Sequence, residues 1–154
     1  HHLKGSDARK VVACIEPFLD DSSVLRKASL ERAVSDEGLD LIFVNGRPLM
    51  MIVDDEPFFT VLGAIDLGPS KRLVGVDSGA VRFVVNGAAI MKPGIVTADP
   101  EIAPGDLVVI VEERHKKPLA IGRALVAGTE MEGEGKAVKS LHHVGDLIWK
   151  GLEG

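Results

Sequence analysis

Asn45-Gly46 lies between two apolar runs, Leu41 to Val44 and Leu49 to Val53, and this pair constrains the fold more than any other dipeptide in the chain. A two-residue type I′ turn needs positive φ at both central positions, which Asn and Gly adopt at least cost. The two runs are therefore adjacent antiparallel strands. The alternation of Ala28, Leu30, Arg32 and Val34 predicts another strand ahead of them, ended by a turn at Asp36-Glu37-Gly38. Before the polar break at Asp20-Asp21-Ser22-Ser23, Val11, Val12, Ile15 and Phe18 or Leu19 recur at helical spacing. This predicts a helix over 6–19, N-capped by Ser6 or Asp7 and limited by Pro17. Cys14 lies close to that apolar stripe and is expected to be a buried structural thiol.

After the hairpin, Asp54-Asp55-Glu56-Pro57 ends the strand. Three consecutive acids at such a point read as a solvated turn, since they cannot all face one metal. Phe58 to Ile65 is expected to be a short helix with Pro57 at its first position. Asp66-Leu67-Gly68-Pro69-Ser70 is rich in breakers and marks a boundary between units 1–70 and 71–154. The first unit reads as α+β.

Past the boundary the strands become shorter and glycine punctuates them. Leu73–Val76 is a strand, and Asp77 or Ser78 can cap a brief helix carrying Ala80, Phe83 and Val84 on one face. Asn86-Gly87 closes that helix whether or not it has any further role. Strands are predicted over 88–91 and from Ile95, over Leu107–Val111 and over Leu119–Val126, with Gly122 as a bulge. Ala137-Val138 and a closing segment from Val144 to Trp149, with Trp149 as a core plug, complete the unit. This pattern suggests a small β-barrel.

Composition bounds the function. The formal charge is −5, which offers no global attraction for nucleic acid. Residues 1–71 hold eight Lys and Arg against twelve Asp and Glu, whereas residues 72–154 hold ten against eleven. The acid surplus thus belongs mainly to the first unit, and the second can still present a local basic face. One cysteine excludes a disulfide framework and any multi-cysteine zinc site. There is no apolar run of the ~20 residues a membrane span needs, and no secretory layout at the start, so a cytoplasmic protein is expected.

The second half carries a resemblance. Val76-Asp77-Ser78-Gly79-Ala80, Asn86 through Ile95, Pro104-Gly105-Asp106, Pro118 through Gly122 and Gly135-Lys136-Ala137-Val138 resemble, in order, the motifs of a PUA domain. The ending His142 through Trp149 also fits, and the resemblance covers about 72–150. Together with the first unit, in which Val44-Asn45-Gly46-Arg47-Pro48-Leu49 is the most family-like stretch, the chain resembles archaeal stand-alone pre-PUA plus PUA proteins. These are related to the malignant T-cell-amplified translation factor family. The implied fold is an α+β N-terminal unit followed by a mostly β PUA pseudobarrel.

The resemblance implies RNA contact along the helix after the first strand of the second unit and the glycine loop behind it. The candidate residues are Ser78, Gly79, Arg82, Asn86, Gly87, Ala88 and Lys92, with Arg123, Lys136, Lys139 and Lys150 adding charge if the barrel closes. Gly87 and Ala88 leave the backbone bare, and their N–H groups are expected to donate to phosphate or sugar. Each of these residues also has a plain reading as a helix cap or a solvated charge. Such a patch would recognise A-form shape, 2′-hydroxyls and a terminal or bulged element. With aromatic residues at 4% and no Tyr, stacking of several bases is not expected.

His1 and His2 are given no ligand role. His142 and His143 are adjacent and cannot bind one metal together; one is expected to be partly buried and the other exposed. There is no Walker loop, G-x-G-x-x-G after a strand, nucleophile elbow or H-E-x-x-H. The expectation is a non-enzymatic protein without a cofactor that binds structured RNA, tRNA or rRNA, in translation or RNA modification. Neither DNA nor membrane is expected as a partner. The alternative is an adaptor whose acidic first unit docks the ribosome, an initiation factor or a separate RNA-modification enzyme.

Overall fold

The computed structural model describes residues 1–36 and 38–153, and the chain divides into two compact units, His1–Ser70 and Lys71–Gly154. The first begins with helix α1 (Gly5–Ile15), which runs on as a 3-10 turn over Glu16–Phe18, where Pro17 needs no donor. Lys4, not Ser6 or Asp7, occupies the N-cap and makes no side-chain cap bond. Val12 and Ile15 turn inward, while Cys14 is exposed; the apolar stripe passes beside it. A short helix α2 (Ser23–Arg26) occupies part of the polar break, with Arg26 donating to Glu16.

A meander follows: β1 (Leu30–Val34), β2 (Asp40–Val44), β3 (Arg47–Val53) and β4 (Glu56–Phe59), paired antiparallel in that order. The turn expected over Asp36-Glu37-Gly38 includes Glu37, which lies outside the described residues. Asn45 and Gly46 take φ of 50° and 84°, as a type I′ turn demands. Asp54 and Asp55 do the same at 49° and 67°, so the acids join two strands and Phe58-Phe59 is strand, not helix. Pro57 is tolerated because β4 is an edge strand.

Helix α3 (Val61–Leu67) starts instead at Thr60, a fully buried N-cap. The Thr60 hydroxyl oxygen accepts from the Gly63 N–H at 2.9 Å, and the hydroxyl donates to the Pro48 carbonyl at 2.9 Å. Thr60→Ala therefore orphans two buried groups. It is expected to cost about 2 kcal/mol, read as a lowered urea midpoint of unfolding. Around this point Ile15, Ile42, Met50, Phe58, Phe59 and Val61 form the buried core, with the Phe58 and Phe59 rings edge-on at 5.1 Å.

The second unit contains β5 (Leu73–Val76), helix α4 (Val81–Val84) after a 3-10 turn at Ser78–Ala80, β6 (Ile90–Met91), β7 (Ile95–Ala98), β8 (Leu107–Glu112), β9 (Lys117–Ala124) and β10 (Lys136–His143). Their order is β6-β10-β9-β8-β5-β7, with β5 and β8 parallel. The two edge strands, β6 and β7, are consecutive in sequence and joined by three residues, Lys92–Gly94. Such a short link forces the sheet to curl until its edges meet, which makes a barrel with a seam. Val74, Val76, Ile90, Val108, Ile110 and Val138 fill it.

Gly122 is not itself the bulge. The register slips on the neighbouring strand, between Ser140 and His142, and Gly122 is small for another reason. A Cβ there would lie 2.5 Å from Val138 Cγ1 and 2.6 Å from the Lys139 carbonyl oxygen. The last segment is helix α5 (Leu147–Glu153), not a strand, and Trp149 is half-buried on it and does not plug the core. Asp146 is the reason: its carboxylate accepts the Trp149 N–H at 2.6 Å and starts a helix where the apolar pattern alone reads as strand.

Candidate functional site

Asp77 ends β5 and turns the chain by accepting the Ala80 N–H at 2.9 Å on its carboxylate. The 3-10 turn and α4 that follow are short, and Val84 points into the barrel while Phe83 stays 53% exposed. The expected common apolar face of Phe83 and Val84 is thereby split, because adjacent helical residues diverge by roughly 100°. Alternation then places Ile90 inside and Met91 outside on β6.

These elements enclose an open cleft of about 630 Å³ along the barrel seam. Val76, Asp77, Gly79 and Ala80 form one wall, Phe83 and Val84 a second, and residues 88–91 with Pro93 and Gly94 the remainder. Among the described residues, only Asp77 and Lys136 bring charge to its lining. Lys136 is exposed and stands opposite Met91 in the β6–β10 register. Arg82 adds a second cation at the mouth, its guanidinium carbon 4.7 Å from the centroid of the Phe83 ring.

Of the residues singled out from sequence, Gly79, Ala88 and Lys136 line this cleft, with Ser78 and Arg82 exposed beside it. Asn86 and Gly87 close α4, Gly87 at a φ of 86°. The expected donors of the glycine loop are spent. Gly87 N–H donates to the Val84 carbonyl at 3.0 Å and Ala88 N–H to the Phe83 carbonyl at 3.1 Å, so neither is offered outward. Lys92 is half-buried, and its backbone N–H donates to the Gly135 carbonyl.

Arg123 and Lys139 are cross-strand neighbours on β9 and β10 and do not line the cleft; Arg123 donates to the Gly105 carbonyl at 2.6 Å. Lys150 is exposed on α5. Sequence reasoning missed Phe83 and Met91 as lining residues. Their signal was two large apolar side chains flanking a turn in a unit poor in aromatics.

The histidines are one fully buried and one half-buried. His142 Nδ1 donates to the Asp146 carboxylate at 3.1 Å, and its buried Nε2 has no partner among the described residues. Burial pushes the His142 imidazole below its ordinary value, outweighing the pull of Asp146. Burial opposes the Asp146 charge, but N–H groups of Trp149 and His143 and the His142 ring hold its carboxyl below the usual range. Among the described residues no group of three or more His, Cys, Asp or Glu is arranged to hold a metal ion.

This has a consequence for stability. A histidine whose folded pKa lies below its unfolded value of 6.5 contributes stability that is complete above 6.5 and is lost as pH falls through the folded value. The urea midpoint is therefore expected to fall between pH 7.5 and 5.5, and His142→Gln to flatten that slope. An unchanged slope in the variant would assign the effect elsewhere.

A seamed barrel with a short helix and a glycine loop at its mouth defines a PUA-domain protein, and a family model for the PUA domain matches residues 72–145. An uncharacterised protein of Methanocaldococcus jannaschii is 40% identical over 153 residues, covering 97% of this chain and 94% of that one. Translation machinery-associated protein 20 of Saccharomyces cerevisiae is 29% identical, over 88% of this chain and 78% of its own length. A solved structure of a hypothetical protein from Pyrococcus horikoshii superposes with a TM-score of 0.88 at 36% identity, covering 99% and 98% of the two chains. The chain belongs to the archaeal stand-alone PUA-domain proteins, related to the family of the malignant T-cell-amplified sequence proteins. Among the described residues no helix is long and apolar enough to cross a membrane.

Proposed function

We propose that this protein is a non-enzymatic RNA-binding factor of translation that grips structured RNA, tRNA or rRNA, by an unpaired nucleotide held in the seam cleft. The observation that carries this reading is a mostly apolar cleft on the PUA unit flanked by two cations, Arg82 and Lys136, with the Asp77 carboxylate of its lining engaged by the Ala80 N–H. A base has an apolar face and a charged backbone, and the cleft offers a surface for each. The family match covers the cleft, and a relative bears a translation-machinery name. Only one aromatic ring lines the cleft, so one nucleotide and not a stacked run is the unit of recognition.

Hairpin RNAs with and without an unpaired 3′ end, titrated by fluorescence anisotropy at low salt, test the reading. The overhanging RNA is expected to bind about tenfold more tightly than the blunt one, a difference of about 1.4 kcal/mol. Equal affinity for both would refute it.

A second reading concerns the first unit, proposed as a pre-PUA-like docking module. Asp54, Asp55 and Glu56 are exposed together on a unit, residues 1–70, whose charge balance is −5. A basic surface on a translation or RNA-modification partner fits that patch.

A further inference from the structure

The His143 side chain lies against the candidate glycine loop at Gly87. A Cβ on Gly87 would lie 2.9 Å from His143 Nε2, so the ring edge rests against the bare backbone of that residue. The other ring nitrogen, Nδ1, is 2.9 Å from the Val144 carbonyl oxygen. A carbonyl can only accept, so Nδ1 carries the proton. A neutral imidazole has one N–H, which leaves Nε2 as a lone-pair acceptor on the ring edge beside the loop.

The ring is held in place from behind. The His143 backbone N–H donates to Asp146 at 2.8 Å, and Asp146 is itself fixed by Trp149 and His142. Nε2 makes no hydrogen bond among the described residues, and it is not among the buried polar atoms. The N–H groups of Gly87 and Ala88 are turned inward, so the polar group that this stretch presents is an acceptor, not a set of donors.

An acceptor repels a phosphate oxygen and attracts a hydroxyl. Resting on the RNA-binding reading, we infer that His143 Nε2 accepts a hydrogen bond from a ribose 2′-hydroxyl of the nucleotide backbone that passes over Gly87. Gly87 serves this role by lacking the Cβ that would cover Nε2. The residue thereby tells RNA from DNA at one position, as a 2′-hydroxyl contact does in general. The His143 contact adds a polar, sugar-specific reading beside a cleft whose lining is apolar apart from Asp77 and Lys136.

The test uses the full chain and the overhanging RNA hairpin, together with chimeras carrying a single 2′-deoxy substitution at each unpaired nucleotide in turn. Wild type is expected to bind one chimera about fivefold more weakly than all-ribose RNA. His143→Phe, which keeps a flat ring and removes the acceptor, should bind both RNAs equally and about as weakly as wild type binds the chimera. His143→Gln, which restores an acceptor oxygen, should recover part of the discrimination. It also serves if the Phe variant fails to fold. Tight wild-type binding with the same ribose preference in the His143 variants would overturn the inference while sparing the RNA-binding reading. No binding of any RNA by wild type would overturn both.

Discussion

Reversing Arg82 and Lys136 together, Arg82→Glu with Lys136→Glu, is expected to weaken binding of an overhanging RNA hairpin by about 100-fold at low salt. Each reversal replaces an attraction with a repulsion at the mouth of the cleft, at a cost of about 1.4 kcal/mol per site, or tenfold each. The neutral pair Arg82→Gln with Lys136→Gln should lower the dependence of log affinity on log salt by about two, since two phosphate contacts are lost. Both side chains are exposed, so the unfolding midpoint should stay within the range usual for surface changes. Lys139→Glu serves as the comparison: it lies on β10 like Lys136 but outside the cleft, and it should change affinity less than threefold. An effect of equal size at Lys139 would mean that the contact is with the barrel wall and not the seam.

Gly63→Ala is expected to be the most damaging single change in the first unit. Alanine is ordinarily the better helix former by about 1 kcal/mol. Here its Cβ would stand 1.7 Å from the Leu49 carbonyl oxygen, because α3 lies backbone-to-backbone on β3. No side chain can rotate to relieve this, and the same carbonyl accepts the Thr60 N–H at 3.1 Å, so it cannot simply swing away. A loss of about 4 kcal/mol follows, the range reserved for strong overpacking. For a unit of this size that lowers the thermal midpoint by roughly 16–32 °C. A change of under about 3 °C would show that the helix can lift off the sheet at little cost.

The N-terminal hairpin and the outline of the barrel were legible because local rules decide them. Asn45-Gly46 needs positive φ, and the short, β-branched apolar run at 107–111, with the Gly122-interrupted segment after Leu119, fits strands by length and composition. What could not be read depends on contacts between distant residues or on competing local chemistry. Pro57 suits a helix start as well as an edge strand, and the choice was made by Asp54-Asp55 adopting positive φ. Cys14 is one position off the buried stripe, a difference that helical spacing alone does not resolve on a two-sided helix. The C-terminal helix hinges on Asp146 capping Trp149, a bond between a turn and an apolar segment that reads equally well as strand.

The positions of the glycine loop and of the Arg82 and Lys136 side chains could be read from the sequence, whereas the apolar cleft between them could not. Gly87 and Ala88 read as phosphate donors because glycine bares the backbone; the folded chain uses those N–H groups to close α4. The apolar cleft was invisible because its walls come from separate stretches between Val76 and Lys136, brought together only when β6 and β7 meet. The electrostatic reading survives in a narrower form. The proposed binding would rest on two cations around a mostly apolar cleft in a chain of net charge −5, so it should be led by shape and be modest in strength.

The most direct measurement is a titration of the isotopically labelled full chain with the overhanging RNA hairpin, followed by amide and methyl chemical shifts. The account predicts that the largest changes fall on Gly79, Phe83, Ala88, Met91 and Lys136 and saturate together. Changes centred on Arg123 and Lys139, or confined to residues 1–70, with the cleft unmoved, would contradict it.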